Sequence, residues 1–163
     1  MNLDVVGLGY CVYDIAAITP DAPDFDSVTS VAITNLLRDG GGQIGTSLIA
    51  LARLGARAGY LGVLGDDLEG RWLRDHFLQE GVDTSRLRIR DDVGTGISLI
   101  LVDQATARRA ILSYLPVRPE DLTLDEADRA YLQPARVLHL DGQFMPAAIQ
   151  AAGWAQDAGV KVC

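Results

Sequence analysis

The sequence predicts an α/β fold. Three observations carry that expectation: short, wholly apolar runs that end at glycines, segments of helical period lying between them, and a new apolar run that opens directly after the last helix.

The elements follow in order along the chain. Residues 5–8 are a buried strand ending at Gly9. Residues 12–18 follow almost at once as a second strand. Residues 28–36 give a third extended stretch after the turn-rich Thr19-Pro20-Asp21-Ala22-Pro23-Asp24. The first helix comes next, with Ile44, Leu48 and Leu51 at helical spacing between Gly40-Gly41-Gly42 and Gly55. Residues 58–64 read as strand. Leu68, Trp72, Leu73, His76 and Phe77 then line one helix face, opened by Asp66-Asp67 and closed by Gly81. Two strands, 97–102 and 110–114, flank a polar turn, and 125–132 is a short helix. Residues 137–140 are a strand, and 146–158 a helix with Pro146 at its start and Gly159 past its end. Residues 160–163 open another buried strand, as in a βαβ unit. A strand stopping at its fourth residue is expected of a chain cut inside a larger α/β fold; a terminal edge strand is the other reading.

Length and charge narrow the function. The chain has 163 residues, enough for one domain, and 48% of them are hydrophobic. No run of apolar residues is long enough to span a bilayer, and Asp4 interrupts the first one, so a soluble cytoplasmic protein is expected. Twenty-two acids against 14 bases give a net charge of −8, which argues against nucleic-acid partners. Lys161 is the only lysine, so a Schiff base or a phosphate-binding lysine would have to use that one residue. Cys11 and Cys163 are too few for a disulfide framework, and with His76 and His139 they show no zinc spacing, so no metal ligands are assigned.

Two glycine patterns resemble nucleotide motifs and fail in detail. Gly7-Leu-Gly9-Tyr-Cys-Val12 lacks the third glycine and runs into a strand where a pyrophosphate needs a helix N-terminus. Gly40-Gly41-Gly42-Gln43-Ile44-Gly45-Thr46 lacks the lysine of a phosphate-binding loop. What remains at 40–42 is a glycine-rich strand-to-helix junction whose bare backbone and free amides suit a hydroxyl-rich ligand. Asp14, on an otherwise apolar stretch, could accept hydroxyl protons. The same residues also read as a tight turn and a solvated turn acid.

The order Gly7-Leu-Gly9, Asp14, Gly41-Gly42, Ala50-Leu-Ala-Arg-Leu-Gly55-Ala, Gly62-Val-Leu-Gly65-Asp66-Asp67-Leu-Glu-Gly70, Gly81-Val-Asp-Thr and Thr95-Gly96 resembles the ribokinase (PfkB) family of carbohydrate kinases. The resemblance runs over essentially the whole chain. It implies a three-layer ribokinase-like α/β domain with a mostly parallel central sheet, in which strands 12–18, 28–36, 97–102 and 110–114 form a small β lid over the sugar. It further implies that 1–163 is the N-terminal part of one such domain, with the C-terminal nucleotide-binding part absent.

By the same resemblance the family's sugar-binding acid falls on Asp14, and its Gly-Gly pair on Gly41 and Gly42. Its sugar-binding Asn falls on Thr46, a departure that exchanges a two-pronged amide for one hydroxyl. The Gly-Gly-Gly-x-x-x-Thr version resembles the subgroup containing sulfofructose kinase and brings a ketose or modified ketose into view. Thr95 and Gly96 match the lid strand that borders the sugar, and Arg109 matches a lid arginine, with Arg108 beside it leaving the register open. Asp141 matches a position where an acid faces the sugar, and reads equally as a solvated strand-end Asp. His139 reads as a packing residue.

The resemblance implies ATP and Mg2+ for the full-length family, a small-molecule sugar partner, no membrane, and a homodimer formed through lid strands. The family's Gly-Ala-Gly-Asp segment, which supplies the anion hole and the catalytic base, does not occur in this sequence, so no catalytic residue is expected in the chain. Two functions follow: the sugar-binding half of an ATP-dependent sugar kinase, inactive alone, or a non-catalytic sugar-binding or regulatory half-domain or remnant.

Overall fold

The computed structural model describes residues 2–24, 26 and 30–163. A five-stranded sheet runs β5-β4-β1-β8-β9, built from β1 (Val5–Leu8), β4 (Ala58–Gly65), β5 (Leu87–Arg90), β8 (Val137–Leu140) and β9 (Lys161–Val162). Every pairing in it is parallel. Such strands are covered on both faces, which is why all eight residues of β4, Ala58-Gly-Tyr-Leu-Gly-Val-Leu-Gly65, are buried.

The alternation of side chains assigns the two faces. Val6, Leu8, Leu61 and Val63 pack with α3 (Glu126–Leu132) and α4 (Met145–Ala158). Val5, Ala58, Tyr60 and Leu64 pack with α1 (Gln43–Arg53) and α2 (Leu68–Gln79). Helices on both sides of a parallel sheet make three layers, the fold class the sequence predicts.

A second, four-stranded sheet runs β3-β2-β6-β7, from β2 (Val12–Thr19), β3 (Asn35–Gly41), β6 (Gly96–Asp103) and β7 (Arg109–Tyr114). The strand expected at 28–36 is displaced: β3 covers Asn35–Gly41, and residues 28 and 29 lie outside the described residues. Pairing decides this. The antiparallel register Val12↔Gly41 to Ile18↔Asn35 uses the length of β2, leaving apolar Val31 and Ile33 exposed before the strand begins. Strand β5 was not expected, because Leu87-Arg-Ile-Arg90 alternates over too few residues to stand out. The final strand is two residues long and pairs with β8 at the sheet edge.

Candidate functional site

The two sheets meet where β1 passes into β2, and a cleft of about 470 Å³ opens there. Asp14 of β2 and Asp141, the residue after β8, both line it. Each carboxylate sits against a glycine. A Cβ on Gly41 would overlap the Asp14 carboxylate, and one on Gly9 would overlap that of Asp141. The two glycines thus let strand backbone and acid share a space too narrow for any other residue.

Asp141 is held by backbone. Its Oδ2 accepts the Tyr10 N–H at 2.8 Å and its Oδ1 the Gln143 N–H at 2.9 Å. Tyr10 is itself fixed, its hydroxyl donating to the Val117 carbonyl at 3.1 Å and its ring edge-on to Phe144. Asp14 stands across the sheet from Ser98 on one side and Asp39 on the other. Burial raises its carboxyl above the ordinary aspartate range and the Asp39 charge adds to this, while a hydrogen bond from Ser98 opposes it.

Gly42 lies between these acids and α1. It caps the helix with φ 86°, and a side chain would meet the Tyr10 carbonyl. The start of α1 therefore faces the cleft as bare backbone, with Gln43 beside it. The small sheet supplies the other wall. Ser98 and Ser113, directly paired on β6 and β7, give hydroxyls, and Ile100 and Ile111, the next pair, give an apolar surface continued by Val12 and Leu115.

Not every residue expected at the site is brought there. Thr46 is exposed one turn into α1 and lines a neighbouring cavity of about 170 Å³ with Asp39, Gly40 and His76, not the cleft that Gln43 lines. Thr95 is buried and spent on a junction. Its hydroxyl accepts the Gly65 N–H at 3.0 Å, and its own N–H donates to Asp67 Oδ2 at 2.8 Å. Asp67 also caps α2 by accepting the Gly70 N–H at 2.8 Å. Burial alone would raise the Asp67 carboxyl, but the hydrogen bonds from Thr95 and Gly70 outweigh it and leave it lowered. Gly96 is buried against Val12 and Leu115 at the foot of β6. Arg109 stands at the far end of β7, in register with Val102, and lines a separate cavity of about 220 Å³ with Thr19, Asp103 and Arg108.

Ser98, Ser113, Gln43 and Gln143 escaped sequence reasoning. Ser98 carries a usable signal once the register is known, because it pairs with Asp14 and cross-strand partners share a face.

The profile of the pfkB family carbohydrate kinases matches residues 2–159. A 5-dehydro-2-deoxygluconokinase of Shouchella clausii is 29% identical over 169 aligned residues, covering 99% of this chain and 50% of its own. An ATP-dependent ribose-1-phosphate kinase of Halopiger xanaduensis is 30% identical over 158 residues, covering 97% of this chain and 52% of its own. Among solved structures, Arabidopsis thaliana ribokinase complexed with ribose and ATP superposes with a TM-score of 0.83 at 20% identity, over 99% of this chain and 53% of that one. The chain spans about half the length of the curated relatives it matches.

Proposed function

This chain belongs to the pfkB family of carbohydrate kinases, and from that premise we propose that it is the sugar-recognition half of an ATP-dependent sugar kinase, the small sheet acting as lid. The observation that carries the proposal is the pairing of Asp14 and Asp141 in one cleft, each seated against a glycine. Hydroxyl groups of a sugar donate to these carboxylates, and charge-assisted bonds of this kind are about twice as strong as neutral ones. Gly41 seats the Asp14 carboxylate, and Gly42 brings the backbone at the start of α1 to the sugar. Ser98 and Ser113 add hydroxyl partners, and Ile100 and Ile111 cover the C–H face of the ring. The names of the relatives support a sugar, sugar-acid or sugar-phosphate acceptor, and a cytoplasmic location fits the same reading.

ATP with Mg2+ is the co-substrate that this family implies. Among the described residues no three His, Cys, Asp or Glu side chains gather to hold a metal, and Lys161 is the only lysine. The residues of this chain therefore do not fit the metal–nucleotide on their own. Phosphoryl transfer rests on positioning and on charge stabilisation at the γ-phosphoryl group. Residues 1–163 are accordingly the N-terminal part of one ribokinase-like domain, and the nucleotide-binding part lies in the half that the relatives have in addition. The second reading is a non-catalytic sugar-binding or regulatory half-domain.

The lid also suits self-association. Strand β7 is exposed along its whole length, with Leu112 and Tyr114 open to solvent at a free sheet edge. A second lid would cover it, and light scattering reads the resulting dimer.

Sugar titration by calorimetry or ligand-observed NMR, on the wild type and on Asp14→Ala, tests the site. Saturable binding that weakens about tenfold in the variant is expected, from the loss of bonds worth about 1.5–3 kcal/mol each. Equal binding by both proteins refutes the assignment. An ATP-consumption assay with the chain alone separates the two functions: turnover is expected only when the other half of a full-length relative is supplied.

A further inference from the structure

Asp14 and Asp141 share the cleft but are held in different ways. Asp141 accepts the backbone N–H groups of Tyr10 and Gln143. Asp14 has no such cradle. It lies inside β2, which pairs with β3 on one side and with β6 on the other, so the neighbouring amides are engaged in the two ladders. Among the described residues, the donor that reaches its carboxyl is the hydroxyl of Ser98, its direct partner on β6.

The groups around Asp14 show what that one donor must offset. Burial and the like charge of Asp39 on β3 both disfavour the ionised form. The Cys11 thiol is held neutral by burial and by the Asp14 charge, and the Tyr10 hydroxyl is spent on the Val117 carbonyl. On the helix side, α1 offers uncharged Gln43 and the amides of its first turn, while His76 of α2 lies 3.6 Å from Asp39. Ser98 is only 8% exposed, so water is a poor substitute for its hydroxyl. That hydroxyl has one proton and two lone pairs. With the proton given to Asp14, the lone pairs stay free to accept from a ligand.

Resting on the sugar-site reading above, we propose that Ser98 is the positioning residue of Asp14: its hydroxyl keeps the carboxylate a charged acceptor aimed at the sugar. Loss of the donor at this strand position weakens sugar binding through Asp14, and does so most where the acid is closest to taking up its proton.

Ser98→Ala and Ser98→Thr, compared with the wild-type 163-residue chain, test it. Carboxyl-carbon NMR follows the titration of Asp14, with Asp14→Asn identifying its resonance. D-ribose and D-fructose are titrated by ligand-observed NMR at several pH values. In Ser98→Ala, Asp14 should take up its proton at a higher pH than in the wild type. Sugar affinity should fall about three- to tenfold at neutral pH, the effect of one lost hydrogen bond, and the gap should widen as pH falls. Ser98→Thr keeps the hydroxyl at a strand position that suits a β-branched residue, and should restore both. If that variant does not fold, the alanine variant decides alone. An Asp14 titration left in place by Ser98→Ala, with the sugars still bound, overturns this inference and leaves the sugar site standing. A gap of the same size at every pH also overturns it, because Ser98 is then a plain sugar contact. So does a folded Ser98→Thr that fails to restore the titration, since repacking is then the cause. If neither sugar binds the wild type at any pH, the sugar-site reading fails and the positioning role fails with it.

Discussion

Asp14 and Gly41 share one volume: the carboxylate of the first occupies the space in which a side chain on the second would begin. They are diagonal neighbours across β2 and β3, two positions out of register and so on one face, since Gly41 pairs with Val12 and Asp14 with Asp39. Gly41→Ala therefore forces the acid or the strand to move. Overpacking of this kind costs about 1–3 kcal/mol, and a displaced acid loses its aim. We expect a lower urea midpoint and sugar affinity reduced about tenfold. Unchanged sugar binding would show that the glycine does not position the acid.

Asp67 joins body to lid by accepting one N–H from Gly70 in α2 and one from Thr95 ahead of β6. Removing an N-cap acid costs about 1–2 kcal/mol, and Asp67→Ala also strips the Thr95 amide of its partner. Faster hydrogen exchange at Thr95 is the specific sign to look for. The pH dependence has a definite direction. The folded-state pKa lies below the ordinary 3.8, so the stabilisation is present above that value and lost as pH falls through the folded one. Asp67→Asn should flatten this part of the acid limb; an unchanged limb would assign it to other carboxylates.

The sequence makes the central sheet legible because parallel strands buried on both faces are almost wholly apolar, as at 58–64. It misplaces β3 for the same reason. The apolar residues at 31–36 attract the assignment, while the paired strand reaches through Arg38-Asp39-Gly40-Gly41 to bring Gly41 beside Asp14. Within the site, Asp14 and Asp141 are legible as acids at strand positions. Thr46, Thr95 and Arg109 match the family's order, but Thr46 opens onto the cavity beside Asp39 and His76, Thr95 is committed to Gly65 and Asp67, and strand length carries Arg109 to the far end of the lid. These are three-dimensional facts with no one-residue signature.

Two backbone positions can be improved without touching the cleft. Ala107, in the turn before β7, has φ 56° and carries the strain of a left-handed alanine, about 1–2 kcal/mol. Ala107→Gly relieves it but loosens the unfolded chain by about 0.5–1 kcal/mol, leaving a net gain near 0.5–1 kcal/mol. Gly153 is the converse case, an exposed position inside α4 whose Cβ would meet nothing within 4 Å. Gly153→Ala should add up to about 1 kcal/mol. Denaturant midpoints check both, and destabilisation by either would mean that the local backbone differs from that described.

Asp14 allows binding and folding to be separated. Burial, reinforced by Asp39, raises its folded-state pKa above 3.8. A raised acid binds its proton more tightly when folded. Its contribution is therefore most favourable below the ordinary value and is lost as pH rises from there through the folded pKa. At neutral pH the charged side chain thus works against folding, and Asp14→Asn, which keeps the shape and drops the charge, should be at least as stable as the wild type. Sugar affinity should move the other way, about tenfold weaker, because an amide replaces the charged acceptor of the sugar hydroxyls. Urea titrations at acidic and neutral pH, paired with sugar titrations at neutral pH, separate the outcomes. A variant that loses stability at neutral pH and keeps its sugar affinity would make Asp14 a structural acid. A variant that gains or keeps stability while losing sugar affinity places the energetic burden of Asp14 where a binding residue carries it.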